Sequence, residues 1–123
     1  MPHITIEYSQ GANARVDISR LAQGVHVAAR TSGIFPANAV RTFAREATIS
    51  FVSDEHPENV FVQIVARVAP GRPAELLKRI ADLLFAAAAA EAAEALEAGR
   101  FALRVDLTES DPALSAYRNT LPT

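Results

Sequence analysis

The chain contains no cysteine, no long uninterrupted apolar segment and no block of basic residues. Without cysteine there is no disulfide framework, thiolate nucleophile or thiolate metal site, which suits a reducing cytoplasm. The longest charge-free apolar run, residues 83–90, is far shorter than the roughly 20 residues that span a bilayer. Twelve Lys and Arg stand against fourteen Asp and Glu, giving a net charge of -2. We therefore expect a cytoplasmic protein that binds neither membranes nor nucleic acid.

The chain has 123 residues, the size of one domain, and we assign residues 1–123 to a single domain. Apolar residues make up 50% of it, which is rich for a domain with a large surface relative to its volume. Such a chain either buries most of its apolar groups or covers an apolar face with another copy of itself. A homo-oligomer is the expected state.

The first half of the chain, residues 2–50, predicts a β-α-β unit. Alternating apolar and polar residues at positions 4–8 predict a strand, and residues 40–49 predict a second one. Between them, Asp17 or Ser19 would cap a helix with apolar residues at spacings of about four, and Gly33 would end it.

The second half, residues 59–110, predicts another β-α-β unit. Residues 60–68 are β-branched and aromatic and predict a largely buried strand, and residues 101–107 alternate as a fourth strand. A long helix would begin at Pro73, continue through the alanine run at residues 86–90 and stop at Gly99. The segment VRTFARE, ending at Glu46, also aligns with LRVDLTE, ending at Glu109.

Two such units predict an α/β (α+β) fold in which a four-stranded sheet carries two helices on one face. Each unit should form a parallel crossover. The opposite face would have no helices. Because the strands read as apolar on both sides, we expect other copies of the chain to cover that face.

Three residues are candidates for chemistry. Pro2 follows the initiator methionine, and removal of Met1 would leave a secondary amine at the start of a strand, able to act as a general base if its pKa is lowered. Arg72 lies at the entry of the long helix, where a carboxylate would meet both a guanidinium and the helix N-terminus. Arg41 begins the second strand. Taken singly, Pro2 also fits an edge strand, and each arginine also fits a solvated surface position.

The sequence gives no support for a metal or a cofactor. His3, His26 and His56 are scattered and form no ligand pair at helical or hairpin spacing. Nucleotide-binding glycine motifs and a nucleophile elbow are absent.

The segments PHITIEYS, TSGIFPANAVRTFARE, VARVAPGRPAE and ALRVDLTESDPALSAYRNTLP together resemble the 5-carboxymethyl-2-hydroxymuconate delta-isomerase family of the tautomerase superfamily. The most specific pieces are GIFP followed by an arginine-bearing strand, and the later GR at a helix entrance. The resemblance covers nearly the whole chain. It implies a duplicated β-α-β tautomerase fold, a homotrimer with the sheets facing inward, and no cofactor.

The same resemblance implies the site residues and the reaction. Pro2 corresponds to the family's catalytic proline, and Arg41 and Arg72 correspond to the arginines that bind carboxylates and stabilise charge. The substrate would be an unsaturated 2-hydroxy polycarboxylate, the ring-cleavage product of homoprotocatechuate in aromatic catabolism, converted from a dienol into its conjugated ketone. The sequence departs from the family where Arg45 replaces an expected histidine and where Pro73 replaces a serine.

Two other interpretations stay open on the sequence. A tautomerase with these residues could act on a smaller 2-hydroxydienoate or on an enolic α-keto acid. A trimeric binding protein that has lost turnover would also keep the fold.

Overall fold

The computed structural model describes the whole chain, from Met1 to Thr123. Its strands are β1 (His3–Ser9), β2 (Arg41–Ala47), β3 (Val60–Val68) and β4 (Phe101–Glu109), and its helices are α1 (Ile18–Arg30), α2 (Ala74–Glu91) and α3 (Ala93–Ala98). Three short 3-10 turns lie at Ala12–Ala14, Ala37–Ala39 and Pro112–Leu114. None of the helices combines the length and the apolar character needed to cross a membrane.

The four strands form one sheet in the order β2-β1-β3-β4. β1 is parallel to β2, and β3 is parallel to β4, so each predicted β-α-β unit contributes one parallel pair. The two units meet where β1 and β3 pair antiparallel. As a result, the first residues of β1 and β2 and the last residues of β3 and β4 lie together. We call this the Pro2 end of the sheet.

The core lies between the sheet and the helices, on one face as predicted. Alternate strand residues and one stripe of each long helix are buried there and form a single cluster of 20 residues. Its largest fully buried side chains are Ile4, Ile6, Leu21, Ile64, Ile80 and Leu84. Each contributes about 1.5–3 kcal/mol by leaving water, so this cluster fixes the register of the strands.

The predicted N-cap of the first helix is confirmed, but both helical regions end differently from the prediction. α1 ends at Arg30, with Thr31 as its C-cap, and not at Gly33. Asp17 is the N-cap of α1, where its carboxylate accepts a hydrogen bond from the Arg20 backbone N–H at 3.1 Å. The second helix does not continue unbroken to Gly99, because α2 ends at Glu91 and α3 begins at Ala93. The bend turns α3 against β4 and buries Ala92 and Ala95, whose small side chains allow this close packing.

The helix-free face of the sheet differs from the prediction. The expectation that the strands are apolar on both sides is wrong, because side chains alternate and the exposed positions are mostly polar. The large apolar side chains on this face are Phe43, Phe61 and Val65. Its polar residues include Thr5, Glu7, Gln63, Arg67, Arg104 and Asp106.

The predicted second strand also ends early. β2 stops at Ala47, and the following segment places Ile49 and Phe51 in solvent, with exposed fractions of 88% and 78%. Phe43, within β2, is 50% exposed. Three exposed apolar side chains therefore lie along and beyond one open edge of the sheet.

Candidate active site

The strand pairing places three cationic or titratable side chains around the chain start. His3 pairs with Arg41 of β2 on one side and with Arg67 of β3 on the other. The backbone N–H of Arg41 donates to the carbonyl of Pro2 at 3.2 Å. Pro2 itself is fully buried at this end of the sheet. Because β1 and β2 are parallel, the first residue of β2 necessarily lies beside the start of the chain.

Arg72 reaches the same end from the segment between β3 and α2. Its Nη1 atom donates to the carbonyl of Ala69 at 3.1 Å, and its guanidinium lies 5.0 Å from the centre of the Phe35 ring. Pro73 is the N-cap residue of α2 and has extended backbone angles. These contacts hold the Arg72 side chain near the N-terminus of a helix of 18 residues.

The pKa of the amino group at the chain start is affected by both arginines. Burial lowers the pKa of the Met1 amino group, and the positive charges of Arg41 and Arg72 lower it further. Both guanidinium groups therefore act on the same amine, in spite of lying on different segments. The structure brings Pro2, Arg41 and Arg72 together at the Pro2 end, with Met1 still attached to the Pro2 nitrogen.

A cleft of about 570 Å³ opens at this end of the sheet. Met1 and His3 line it from β1, Arg67 lines it from β3, and the segment after β4 forms its outer wall. The wall residues are Glu109, Ser110, Asp111, Leu114, Ser115, Ala116 and Tyr117. Because Met1 is part of the lining, its removal would extend the cleft toward the Pro2 nitrogen.

His3 contributes to the site in a way that the sequence did not indicate. Burial lowers its pKa, and the charges of Arg41, the amino terminus and Arg67 lower it further, so the surroundings favour the neutral imidazole. Its Nδ1 atom lies 3.4 Å from Nη2 of Arg67. Its Nε2 atom is buried without a hydrogen-bond partner, as is the Nε atom of Arg41.

Tyr117 is a second residue that the sequence did not single out. Nη2 of Arg41 donates to its hydroxyl oxygen at 2.5 Å, and the Arg41 guanidinium lies 5.2 Å from the ring centre. His3 and Arg67 could have been joined to Arg41 through strand alternation, once the strand order was known. Tyr117 lies in a tail with no periodic pattern, so no sequence signal points to it.

Arg45, which the sequence analysis noted, and a larger groove both lie outside this cleft. Arg45 stands further along β2, where its Nε atom forms an ion pair with Oε2 of Glu7 at 3.2 Å. A larger groove of about 810 Å³ runs between α1 and the open edge of β2, with Tyr8, Arg15 and Thr42 in its lining. That groove holds none of the predicted site residues. We assign the site to the Pro2 end of the sheet because Arg41 and Arg72 act on the N-terminal amine there. The smaller cleft opens beside that amine and is lined by Met1 and His3, although neither Arg41 nor Arg72 is among its lining residues.

The remaining histidines have structural contacts. Nδ1 of His26 lies 2.8 Å from the Thr42 hydroxyl and links α1 to β2. Nδ1 of His56 accepts from the Glu58 backbone N–H at 3.1 Å, within the loop before β3. No three His, Asp or Glu side chains are grouped as ligands for a metal ion.

Comparison with known proteins gives a consistent set of relatives. The family model described as 5-carboxymethyl-2-hydroxymuconate isomerase matches residues 2–123. The 5-carboxymethyl-2-hydroxymuconate Delta-isomerase of Escherichia coli is 23% identical over 121 residues, which cover 98% of this chain and 96% of that protein.

Solved structures give the same result. A 5-carboxymethyl-2-hydroxymuconate isomerase from Deinococcus radiodurans superimposes with a TM-score of 0.85 at 25% identity, covering 97% of this chain and 90% of that one. A fused 4-OT, solved as a symmetric trimer, gives a TM-score of 0.72 at 19% identity, covering 98% and 95% of the two chains. The predicted tautomerase fold and the predicted isomerase are confirmed, and the chain belongs to the 5-carboxymethyl-2-hydroxymuconate isomerase family.

Proposed function

We propose that this isomerase shifts a proton in an unsaturated 2-hydroxy polycarboxylate, with the secondary amine of Pro2 as acid and base once Met1 has been removed. The observation that carries the proposal is the convergence of Arg41 and Arg72 on the amino terminus, which lowers the pKa of the amine there. The substrate is of the class for which the Escherichia coli relative is named. The reaction belongs to aromatic catabolism in the cytoplasm.

The amine must be unprotonated at neutral pH to act as a base. An ordinary α-amino group has a pKa of about 8 and is mostly protonated there. Burial and two nearby guanidinium groups disfavour the charged form, and both effects act at the Pro2 end. The Pro2 nitrogen lies deeper in the fold than the Met1 amine, so it is subject to the same effects.

The two arginines complete the chemistry. Pro2 takes the enol hydroxyl proton, the negative charge spreads over the conjugated dienolate, and the same proton returns to a carbon of the chain to give the ketone. Arg41 and Arg72 bind the substrate carboxylates and stabilise the dienolate, because a fixed positive charge in a partly desolvated site lowers the energy of the developing anion.

The working protein is proposed to be a homotrimer, as the fused 4-OT is. The apolar side chains of Phe43, Ile49 and Phe51 support this, since they lie exposed on and beyond β2. β2 and β4 are also both open sheet edges, which a neighbouring copy can pair with. In this proposal the subunits associate through an apolar sheet edge and not through an apolar sheet face.

A substrate panel tests the function directly. Protein shown by mass spectrometry to begin at Pro2 is assayed on enolic mono-, di- and tricarboxylates, and we expect the highest kcat/KM on the polycarboxylates. A preference for a small monocarboxylate would identify a tautomerase for another enolic acid. Binding of polycarboxylates without turnover of any substrate would identify a binding protein and overturn the proposal.

A further inference from the structure

The segment after β4 crosses the Pro2 end of the sheet and is tied down on both sides. At its start, the Ser110 backbone N–H donates to the carbonyl of Val68 at 2.9 Å. At its far end, Nδ2 of Asn119 donates to the Asn38 carbonyl at 2.9 Å, and Nδ2 of Asn38 donates to the Leu121 carbonyl at 3.1 Å. Residues 110–121 therefore run from the end of β3 to the turn that precedes β2, over the cleft.

The hydrogen bond between Arg41 and Tyr117 fixes the direction of the tyrosine hydroxyl hydrogen. A guanidinium has only donors, so the Tyr117 oxygen must be the acceptor in this 2.5 Å contact. Its own hydrogen then points to some other acceptor. No protein atom accepts it, and Tyr117 lines the cleft that also contains Met1 and His3. The hydroxyl is thus a free donor, polarised by a neighbouring positive charge.

We infer that Tyr117 is a substrate-binding residue, whose hydroxyl donates to a carboxylate oxygen of the substrate beside Arg41. This rests on the proposed function for the identity of the substrate. The carboxylate occupies the part of the cleft lined by His3 and Tyr117, next to the Arg41 guanidinium that Tyr117 contacts. Behind this part of the cleft lie two buried atoms that have no hydrogen-bond partner in the free protein, Nε of Arg41 and Nε2 of His3.

Hydrogen-bond donors lie on the β1 and β2 side of the cleft, and acidic groups lie on its β4 side. Because Nδ1 of His3 faces Arg67, the neutral imidazole carries its proton on Nε2, so this atom is a donor as well. Glu109 and Asp111 line the cleft from the end of β4, two strands away from β1. Asp111 already accepts from the Ala113 N–H at 2.9 Å. A carboxylate is therefore favoured at the β2 side and disfavoured at the β4 side.

The test compares Tyr117→Phe with wild type and with Arg118→Ala, an exposed neighbour that makes no hydrogen bond. Phenylalanine keeps the ring over Arg41 and removes only the hydroxyl. Calorimetry measures binding of adipate, a saturated linear dicarboxylate, and kinetics gives kcat and KM on the best substrate of the panel. We expect Tyr117→Phe to weaken adipate binding about tenfold, as for one lost hydrogen bond to a charged group, and to raise KM by a similar factor with kcat nearly unchanged.

A second variant tests whether the tail acts through Tyr117. Asn119→Ala removes the tie to Asn38, so it should raise KM several-fold in the wild-type background and add nothing in Tyr117→Phe. Unchanged adipate binding in Tyr117→Phe would overturn the inference even if the enzyme isomerises its substrate. The wild type could also show no isomerase activity while Tyr117→Phe still weakens adipate binding tenfold. That result would support the Tyr117 site and overturn the proposed function. A wild type that binds no adipate would overturn the site.

Discussion

The guanidinium of Arg15 lies 2.7 Å from the carbonyl oxygen of Gly99, joining the first half of the chain to the end of the second helical region. The same side chain also donates to the carbonyls of Ala95 at 3.0 Å, Glu58 at 3.1 Å and Arg100 at 3.2 Å. It therefore binds carbonyls at and just beyond the C-terminus of α3, where a positive charge is favoured by the helix dipole.

Arg15→Ala should destabilise the fold by about 2 kcal/mol, because it removes four hydrogen bonds, two of them to partly buried carbonyls. Arg15→Lys should recover only part of this, since an ammonium lacks the planar fork that reaches all four acceptors. Urea denaturation measures both. Arg20→Ala is the matched control, as Arg20 is 71% exposed and forms only a loose 3.6 Å ion pair with Glu91. A loss for Arg15→Ala no larger than for this control would contradict the assigned role.

Most of the fold could be predicted from the sequence because local residue patterns determine most of its strands and helices. Residues 60–68 coincide with β3, and Asp17 caps α1 as its position before an apolar stripe predicts. The bend at Ala92 was not accessible, since an alanine run contains no helix breaker and the bend arises from packing against β4. The polarity of the helix-free face was misread because a β-branched run hides Gln63 and Arg67 at alternate positions.

The site was accessible only in part. Pro2, Arg41 and Arg72 were each candidates from their local positions, but only the resemblance to a family joined them into one site, because no spacing in the chain relates them. Their proximity depends on β1 being parallel to β2 and antiparallel to β3, which local patterns do not determine. Tyr117 depends on a tail held by side-chain hydrogen bonds to Asn38, a relationship across 81 positions of sequence.

Replacing Arg72 tests its role in charge stabilisation. Arg72→Ala should weaken binding of polycarboxylate substrates and slow turnover by on the order of a hundredfold, the scale of losing one aligned charge-stabilising group. Arg79→Ala, an exposed arginine of α2, is the control and should leave turnover unchanged. Because Arg72 also packs over Phe35, unfolding curves are recorded for each variant. A folded Arg72→Ala enzyme with wild-type activity would remove Arg72 from the site.

The oligomer can be tested at its apolar edge. Light scattering of the wild type at micromolar concentration should give the mass of a trimer. Replacing both Ile49 and Phe51 by asparagine should shift the population toward monomer, because asparagine side chains at these exposed positions gain little by being buried between subunits. Phe85→Asn, at an exposed position of α2, should leave the trimer intact. A wild-type protein that stays monomeric would refute the homotrimer.

The last prediction concerns the pH dependence of the Pro2 amine, which under the proposed function acts as base only when it is unprotonated. Its pKa should lie below the value of about 8 for an ordinary α-amine, so kcat/KM should rise with pH through that lowered pKa and level off above it. Burial and the charges of Arg41 and Arg72 lower the pKa of the amino terminus. Arg41→Gln and Arg72→Gln should therefore each move the rising limb to higher pH, whereas Arg41→Lys keeps the charge and should move it little. If the rising limb does not move when either charge is removed, the arginines do not lower the pKa of the amine.

The same amine can be blocked or changed without altering the rest of the site. Protein that retains Met1 has an amide at the Pro2 nitrogen, which cannot take a proton at neutral pH, so it should be nearly inert and show no rising limb. Pro2→Ala leaves a primary amine in the same place and should retain weak activity with a similar limb, because burial and both guanidinium groups are unchanged. Mass spectrometry identifies the terminus of each preparation before assay. Equal rates for the Met1-retaining and processed forms would show that the amine is not the base.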